Sequence, residues 1–358
     1  MKKILYILFM VSLLAVSCTK EVPVTRDHDL DAEVLDITTT MDMDVLYCNI
    51  NDVADESLLD LSKVGDYLAS KGADVVTLVA PANVNGTKFA SWLAEYAAEN
   101  DMQALTAENL DGRLCMGALV ANSLAVENYL VDQGLTFSNA VLHFQANGVH
   151  FVVTDVKESR NAVPSDWEEQ VDAMTTNKKA AAIVYDPDNL AERQIEVAAL
   201  IARTKEYQDA NGLRPFAKDK MWLWCVDMNT SSHLDMQYMD FARKDCYDYD
   251  ESTEAFFTTV TAYFSVSEFL AATDPYFSLN ELMLKSANLA DCIVYEHPAV
   301  LTPSSIVVDG NPSKARNNFL YSSNGCLNMI NTLTLDTAIV SEWGTIHYPI
   351  LVTLKSEE

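Results

Sequence analysis

Short apolar runs closed by polar residues alternate along the chain with stretches of helical periodicity. Residues 45–50 form a buried-strand pattern with Asn49 near its end. Residues 57–70 place Leu58, Leu59, Leu61, Val64, Tyr67 and Leu68 at helical spacing, and Lys71-Gly72 supplies the stop. A strand over 73–79 follows, then a helix over 88–100 with Phe89, Trp92, Leu93 and Tyr96 on one side. Residues 116–121 read as a strand. Residues 139–144 pair with 149–153 across Gln145-Ala146-Asn147-Gly148, where Asn-Gly marks a hairpin. Helices are expected over 167–174 and 189–208, the second with Leu190, Val197, Ala198 and Ile201 inward. Residues 256–270 and 279–289 are apolar but of unsettled type, whereas 319–321, 337–340 and 350–354 are strand-like. Between these lies the most apolar run, residues 221–226, which ends in Asp227-Met228-Asn229.

Alternation of this kind predicts an α/β fold with buried sheets, and no break or short-period repeat divides residues 43–358. Six apolar residues in a row mark 221–226 as a central strand covered on both faces. Asp227 and Asn229 point to one side of an extended chain, either into a pocket or into an Asx-turn with nearby backbone.

Charge narrows the function. Asp and Glu total 52 against 24 Lys and Arg, a formal net charge of −28, so the chain lacks the basic footprint that nucleic acid or an anionic lipid surface requires. The first residues change the picture again. Lys2 and Lys3 precede an apolar stretch over 4–14, too short to span a bilayer, and Ala15-Val16-Ser17 leads into Cys18. This resembles a bacterial lipoprotein signal over 1–17, with cleavage before Cys18 and lipid on its thiol; the alternative is an ordinary secretory signal. Either implies export from the cytoplasm, and the lipoprotein reading a lipid-anchored place in the cell envelope, periplasmic or at the cell surface. Residues 18–42, charged and without apolar periodicity, read as a tether.

Six further cysteines are Cys48, Cys115, Cys225, Cys246, Cys292 and Cys326. They permit disulfides but show no zinc-ligand spacing, and Cys48 and Cys225 sit in strand-like runs where buried free thiols are expected. The acidic run 248–254 opens like a calcium loop, but Thr253 and Thr259 occupy the places of its Gly and Glu.

Polar residues recur at strand ends: Asn49, Thr154-Asp155, Asp227-Met228-Asn229 and Thr345-Ile346-His347. In this order they resemble the endonuclease/exonuclease/phosphatase superfamily over residues 44–354. Leu46-Tyr47-Cys48-Asn49-Ile50 is similar to its first strand, whose Asn helps hold a metal. Residues 71–78 resemble its approach to the second strand. Trp224-Cys225-Val226-Asp227-Met228-Asn229 is similar to its Gly-Asp-Phe-Asn motif, and His347-Tyr348-Pro349 to its Ser-Asp-His-x-Pro ending. The resemblance implies a four-layer α/β sandwich, two packed mixed sheets flanked by helices. It makes Asp227, Asn229 and His347 catalytic positions and groups Asn49, Asp155 and Asn318 as the ligand pocket.

Departures from the family pattern are concentrated at this site. Val79-Ala80 replaces Gln-Glu, so the principal carboxylate for a hard cation is absent. Asp155 stands where the family has His, Ile346 where an Asp orients the His, and Asn318 aligns with a further Asp. Phosphoryl transfer relies on a metal and positive groups to neutralise developing charge. The expected protein is therefore a degenerate member without a cofactor, binding or scaffolding an envelope protein or glycan, with no nucleic acid partner and a membrane attachment through Cys18. The alternative is an active phosphodiesterase or phosphatase using Mg²⁺ or Mn²⁺ with rearranged ligands. A purely structural role in an envelope complex is a third reading. Asp155, Asp227, His347 and Asn49 could also hold another cation or act on a nonphosphate substrate, and His143, His150 and His233 are secondary candidates.

Overall fold

The computed structural model describes residues 42–51, 58–133, 137–157, 187–210, 221–229, 248–250, 255–257, 262–263, 278–285, 287, 289–296, 304–307, 313–315 and 317–355. The expected signal, the tether up to residue 41, Cys18, Cys246, His233 and the helix at 167–174 lie outside them, whereas Asp42, read as the end of the tether, opens the first strand. Within the acidic run, Asp248–Asp250 is a strand paired with Ala255–Phe257.

Twelve strands build two six-stranded mixed sheets. They are β1 (Asp42–Asn49), β2 (Val75–Pro81), β3 (Met102–Glu108), β4 (Leu114–Ala121), β5 (Val126–Asp132), β6 (Val141–Ala146), β7 (Val149–Asp155), β8 (Met221–Asp227), β9 (Ala290–Asp291), β10 (Asn318–Ser322), β11 (Ile330–Leu335) and β12 (Ile350–Lys355). The first sheet has the order β11-β12-β1-β2-β4-β3 and the second β9-β10-β8-β7-β6-β5. Each is centred on one parallel pair flanked by an antiparallel neighbour. β1 lies parallel to β2 and antiparallel to β12, and β8 lies parallel to β7 and antiparallel to β10.

The inner faces of the sheets meet in one apolar layer. Val45, Tyr47, Val75 and Val79 of the first sheet share it with Phe144, Phe151, Leu223 and Cys225 of the second. Outside the first sheet pack α1 (Leu61–Lys71) and α2 (Phe89–Glu99). Outside the second pack α3 (Pro187–Ala210) and α4 (Ser278–Lys285). Three short helices complete the order: α5 (Cys292–Glu296), α6 (Asn324–Leu327) and α7 (Ile339–Trp343). Helix, sheet, sheet and helix are the four layers read from the sequence.

Local chemistry explains several boundaries. Asp60 caps α1 by accepting the Ser62 N–H at 2.9 Å. Asn147 and Gly148, with φ of 47° and 82°, form the two-residue hairpin between β6 and β7. Gly117 lets α2 close on β4, since a Cβ there would stand 2.8 Å from Leu93 Cδ2. Five cysteines, Cys48, Cys115, Cys225, Cys292 and Cys326, are buried free thiols, and burial pushes Cys225 up to about 12.

Two expectations need correction. Residues 337–340 do not form a strand; Asp336 accepts the Ala338 N–H, and α7 follows with Ile339 and Trp343 buried one turn apart. Among the described side chains of α3 the inward ones are Arg193, Glu196, Val197, Leu200 and Ile201, whereas Ala198 is exposed; the expected inward side chain of Leu190 lies outside those described. β3 and β5, which the periodicity does not reveal, are the outer strands along one side of the sandwich.

His143 and His150 lie on the helix-facing side of the second sheet, their rings 3.3 Å apart between nitrogens and stacked on Trp222. Burial, reinforced by His150, pushes His143 down to about 3 from 6.5. The unfolded chain takes up a proton below about pH 6.5 that the folded chain refuses until about pH 3. The stability tied to neutral His143 is therefore complete above that window and lost as pH falls through it. Urea titrations at pH 7 and in mild acid are expected to show a smaller acid-induced loss for His143→Gln than for the natural chain.

Candidate functional site

The central strands of both sheets end side by side, and the polar residues at those ends converge. Asn49 closes β1, Asp155 closes β7, Asp227 closes β8, and Asn318 opens β10 directly across from Asp227. Asp155 and Asp227 are register partners on parallel strands, so their carboxylates sit on one face. Both are buried, as are Asn49, Asn318 and His347.

Two buried carboxylates at adjacent positions repel each other and lose hydration unless donors surround them. Amides supply those donors here. Asn49, from the other sheet, donates to Asp227 Oδ2 at 2.8 Å, and the Asn229 N–H donates to Asp227 Oδ1 at 2.8 Å. Asn229 Nδ2 donates to Asp155 Oδ1 at 2.9 Å and to the Val156 carbonyl at 2.7 Å. Asn139 Nδ2 approaches the same Oδ1 at 3.2 Å, and Asn51 Nδ2 stands 3.5 Å from Oδ2, the outer limit of a hydrogen bond. His347 places Nε2 3.4 Å from Asp227 Oδ2.

The Asx-turn and the site turn out to be one arrangement. Asp227 bonds the backbone of Asn229, as Asn49 Oδ1 accepts the Asn51 N–H at 2.9 Å, so both central strands stop in the same way. Asn229 adopts φ of 49°, which turns its amide back toward Asp155. Thr345 donates to the Asn49 carbonyl at 3.1 Å and accepts the His347 N–H at 3.2 Å, tying the last motif to the first. Tyr47 donates to Asn318 Oδ1 at 3.3 Å, and Asn49 Nδ2 reaches the same oxygen at 3.0 Å. Burial, then the charge of Asp227, holds the Tyr47 hydroxyl well above the ordinary tyrosine range.

The sequence reading missed a brace behind these residues. From α3, the Glu196 carboxylate accepts the N–H groups of Ser138 at 2.8 Å and Lys157 at 2.9 Å. Arg193, fully buried, donates to the Met228 carbonyl between Asp227 and Asn229. Burial raises the Glu196 carboxyl although both N–H groups and Arg193 pull it down. Three segments that end at the site, 137–140, 155–157 and 227–229, are thus held by one helix. Nothing in the spacing of α3 separates these charges from its exposed ones, such as Glu192, except their place on the apolar face.

His143 and His150 do not join the site. His150 precedes Asp155 by five residues, roughly 16 Å along the strand. Neither does the end of β2 contribute a ligand. Val79, the register partner of Asn49, faces the inter-sheet layer, while Ala80 points to the helix side among Cys48 and Leu78. No oxygen reaches the site from either. Among the described residues no group of three His, Cys, Asp or Glu side chains is arranged to hold a metal ion. With the Asp155 and Asp227 oxygens facing N–H donors, the residues present do not fit a hard divalent cation. Asn229→Gly, which keeps the backbone unstrained but removes both Nδ2 bonds, is expected to cost about 1.5–3 kcal/mol in urea unfolding.

No protein-family model and no curated protein sequence matches this chain. Solved structures do. A 3′-5′ exonuclease from Neisseria meningitidis superposes with a TM-score of 0.59 at 11% identity, covering 88% of this chain and 100% of its own. A 3′ phosphatase from Neisseria bound to a product DNA hairpin gives 0.57 at 12% identity, with the same coverage. An AP endonuclease from Archaeoglobus fulgidus gives 0.52 at 11% identity, again covering 88% and 100%. Identity this low carries the architecture alone, and the architecture is that of the endonuclease/exonuclease/phosphatase fold.

Proposed function

We propose that this chain is an exported envelope lipoprotein, anchored through Cys18, whose endonuclease/exonuclease/phosphatase-like domain has lost metal-dependent hydrolysis and works by binding or scaffolding an envelope protein or glycan. The observation that carries this reading is the engagement of Asp155 and Asp227 by amide donors and His347, with no oxygen ligand from β2. A carboxylate pair whose oxygens are taken up by hydrogen-bond donors has little capacity left for a cation, and its remaining negative charge repels an incoming phosphate. The surplus of acidic residues supports the same conclusion for nucleic acid, because a phosphate backbone would meet a net charge of −28. The basic and apolar opening of the chain, ending in Ala15-Val16-Ser17-Cys18, supports export and lipid attachment.

The convergence of Asn49, Asp227, Asn229 and His347 on one point favours a second reading, an active phosphodiesterase or phosphatase using Mg²⁺ or Mn²⁺. Assays of the purified full-length chain with phosphodiester and phosphomonoester substrates, each with Mg²⁺, Mn²⁺ or Ca²⁺, separate the two. The expected rate equals that of Asp227→Ala under every condition. Turnover that Asp227→Ala abolishes overturns the degenerate reading.

A further inference from the structure

Beyond α1, the outer face of the first sheet opens into a groove near its β11 edge. α1 packs over β1 and β2, and β12 and β11 continue the sheet away from it. Thr334 of β11 is exposed, and its register partner on β12, Leu351, is half-buried on the helix-facing side. Both line a groove with a volume of about 220 Å³. Tyr67 and Lys71, near the C-terminal end of α1, line it together with Asp336 and Pro349.

An ion pair sits in this groove with hydrogen-bonding capacity to spare. Lys71 Nζ donates to Asp336 Oδ2 at 2.9 Å and stands 4.8 Å from the centre of the Tyr67 ring. The Tyr67 hydroxyl donates to the same oxygen at 3.2 Å, and the Ala338 N–H donates to Asp336 Oδ1 at 3.3 Å. An ammonium carries three N–H donors, and an ionised carboxylate offers about four acceptor sites. Among the described residues, Lys71 therefore keeps two donors and Asp336 one acceptor site. Burial raises the Asp336 carboxyl, but Lys71, Ala338 and Tyr67 together hold it below the ordinary range, so it stays ionised. Both side chains are 29% exposed, within reach of a solute.

Charge and size select the ligand. The pair is neutral as a whole, so a lone anion is repelled by Asp336 and a lone cation by Lys71. A hydroxyl both donates and accepts, and adjacent hydroxyls of one molecule serve Lys71 and Asp336 together. Pro349 and Leu351 supply apolar surface in the same groove. Its volume falls below the about 300–1,000 Å³ of clefts that enclose drug-sized ligands, and suits one small ring. A sugar residue, with hydroxyls on its rim and C–H groups on its face, combines these properties.

We propose that this groove binds one neutral sugar residue, whose adjacent hydroxyls accept from Lys71 and donate to Asp336 while its C–H face lies against Pro349 and Leu351. None of these residues is among the polar groups that converge at the strand ends, so the proposal stands whether or not Asp227 supports turnover.

Saturation-transfer NMR on the purified full-length chain tests it, with the methyl glycosides of glucose, galactose, mannose and N-acetylglucosamine at millimolar concentration. At least one is expected to receive saturation from the protein. Lys71→Met/Asp336→Asn, which removes both charges and nearly keeps the shape, should weaken that binding about tenfold, about 1.4 kcal/mol. Thr334→Arg fills the groove from an exposed position without removing either charge, and should weaken it at least as much. Ile195→Asn, exposed on α3 beside the other sheet, should leave it unchanged, as should Asp227→Ala. No transfer to any glycoside, unchanged transfer in either groove variant, or competition by acetate or methylammonium as strong as by a second glycoside overturns the proposal. So does loss of binding in Asp227→Ala, which would place the sugar at the strand ends.

Discussion

One hydrogen bond between the two sheets organises the strand ends: Asn49 Nδ2 to Asp227 Oδ2, 2.8 Å long and joining residues 178 apart in sequence. Burying Asp227 beside Asp155 imposes a constraint that the apolar layer does not relieve, because charged oxygens in a low-dielectric interior need donors. Asn49 provides one from the opposite sheet, and it also reaches Asn318 on the neighbouring strand. Thr345 and His347 fall into place around the same contact, bonded to Asn49 and within 3.4 Å of Asp227 respectively, and Tyr47 bonds the Asn318 oxygen that Asn49 also reaches. Loss of Asn49 would leave a buried carboxylate short of a donor, which is costlier than loss of a surface contact.

The brace from α3 acts on the other side of that constraint. Glu196 fixes the backbone of Ser138 and Lys157, and Arg193 fixes Met228, so the segments bearing Asn139, Asp155 and Asn229 are held before any ligand is considered. Solved structures that share the fold include an exonuclease, a phosphatase and an AP endonuclease, but at 11–12% identity they speak for architecture and not for chemistry.

Most of the buried elements were legible in the sequence. Continuous apolar runs gave β1, β2, β8 and β10, and Asn147-Gly148 gave the β6–β7 hairpin, because burial on both faces and a demanding turn leave strong local marks. β3 and β5 left none, since edge strands with Gln103, Thr106, Glu127 and Asn128 carry no clean alternation. The run at 337–340 looked strand-like by β-branching, but Asp336 and the spacing of Ile339 and Trp343 made it helical. At the site, motif order located Asn49, Asp227, Asn229 and His347, whereas the asparagine donors Asn51 and Asn139 and the buried pair Arg193 and Glu196 depend on folding to acquire their roles. Of the two residues that stand in place of the family's Gln-Glu, Val79 faces the inter-sheet layer and Ala80 the helix side.

The central claim is that amide donors, not a metal ion, satisfy Asp155 and Asp227. Electron paramagnetic resonance of Mn²⁺ titrated into the full-length chain tests it directly, because bound Mn²⁺ loses the sharp spectrum of the free ion. The account predicts only weak, salt-sensitive binding to the acidic surface, equal in the natural chain and in Asp227→Ala. A single tight site that Asp227→Ala removes would contradict it.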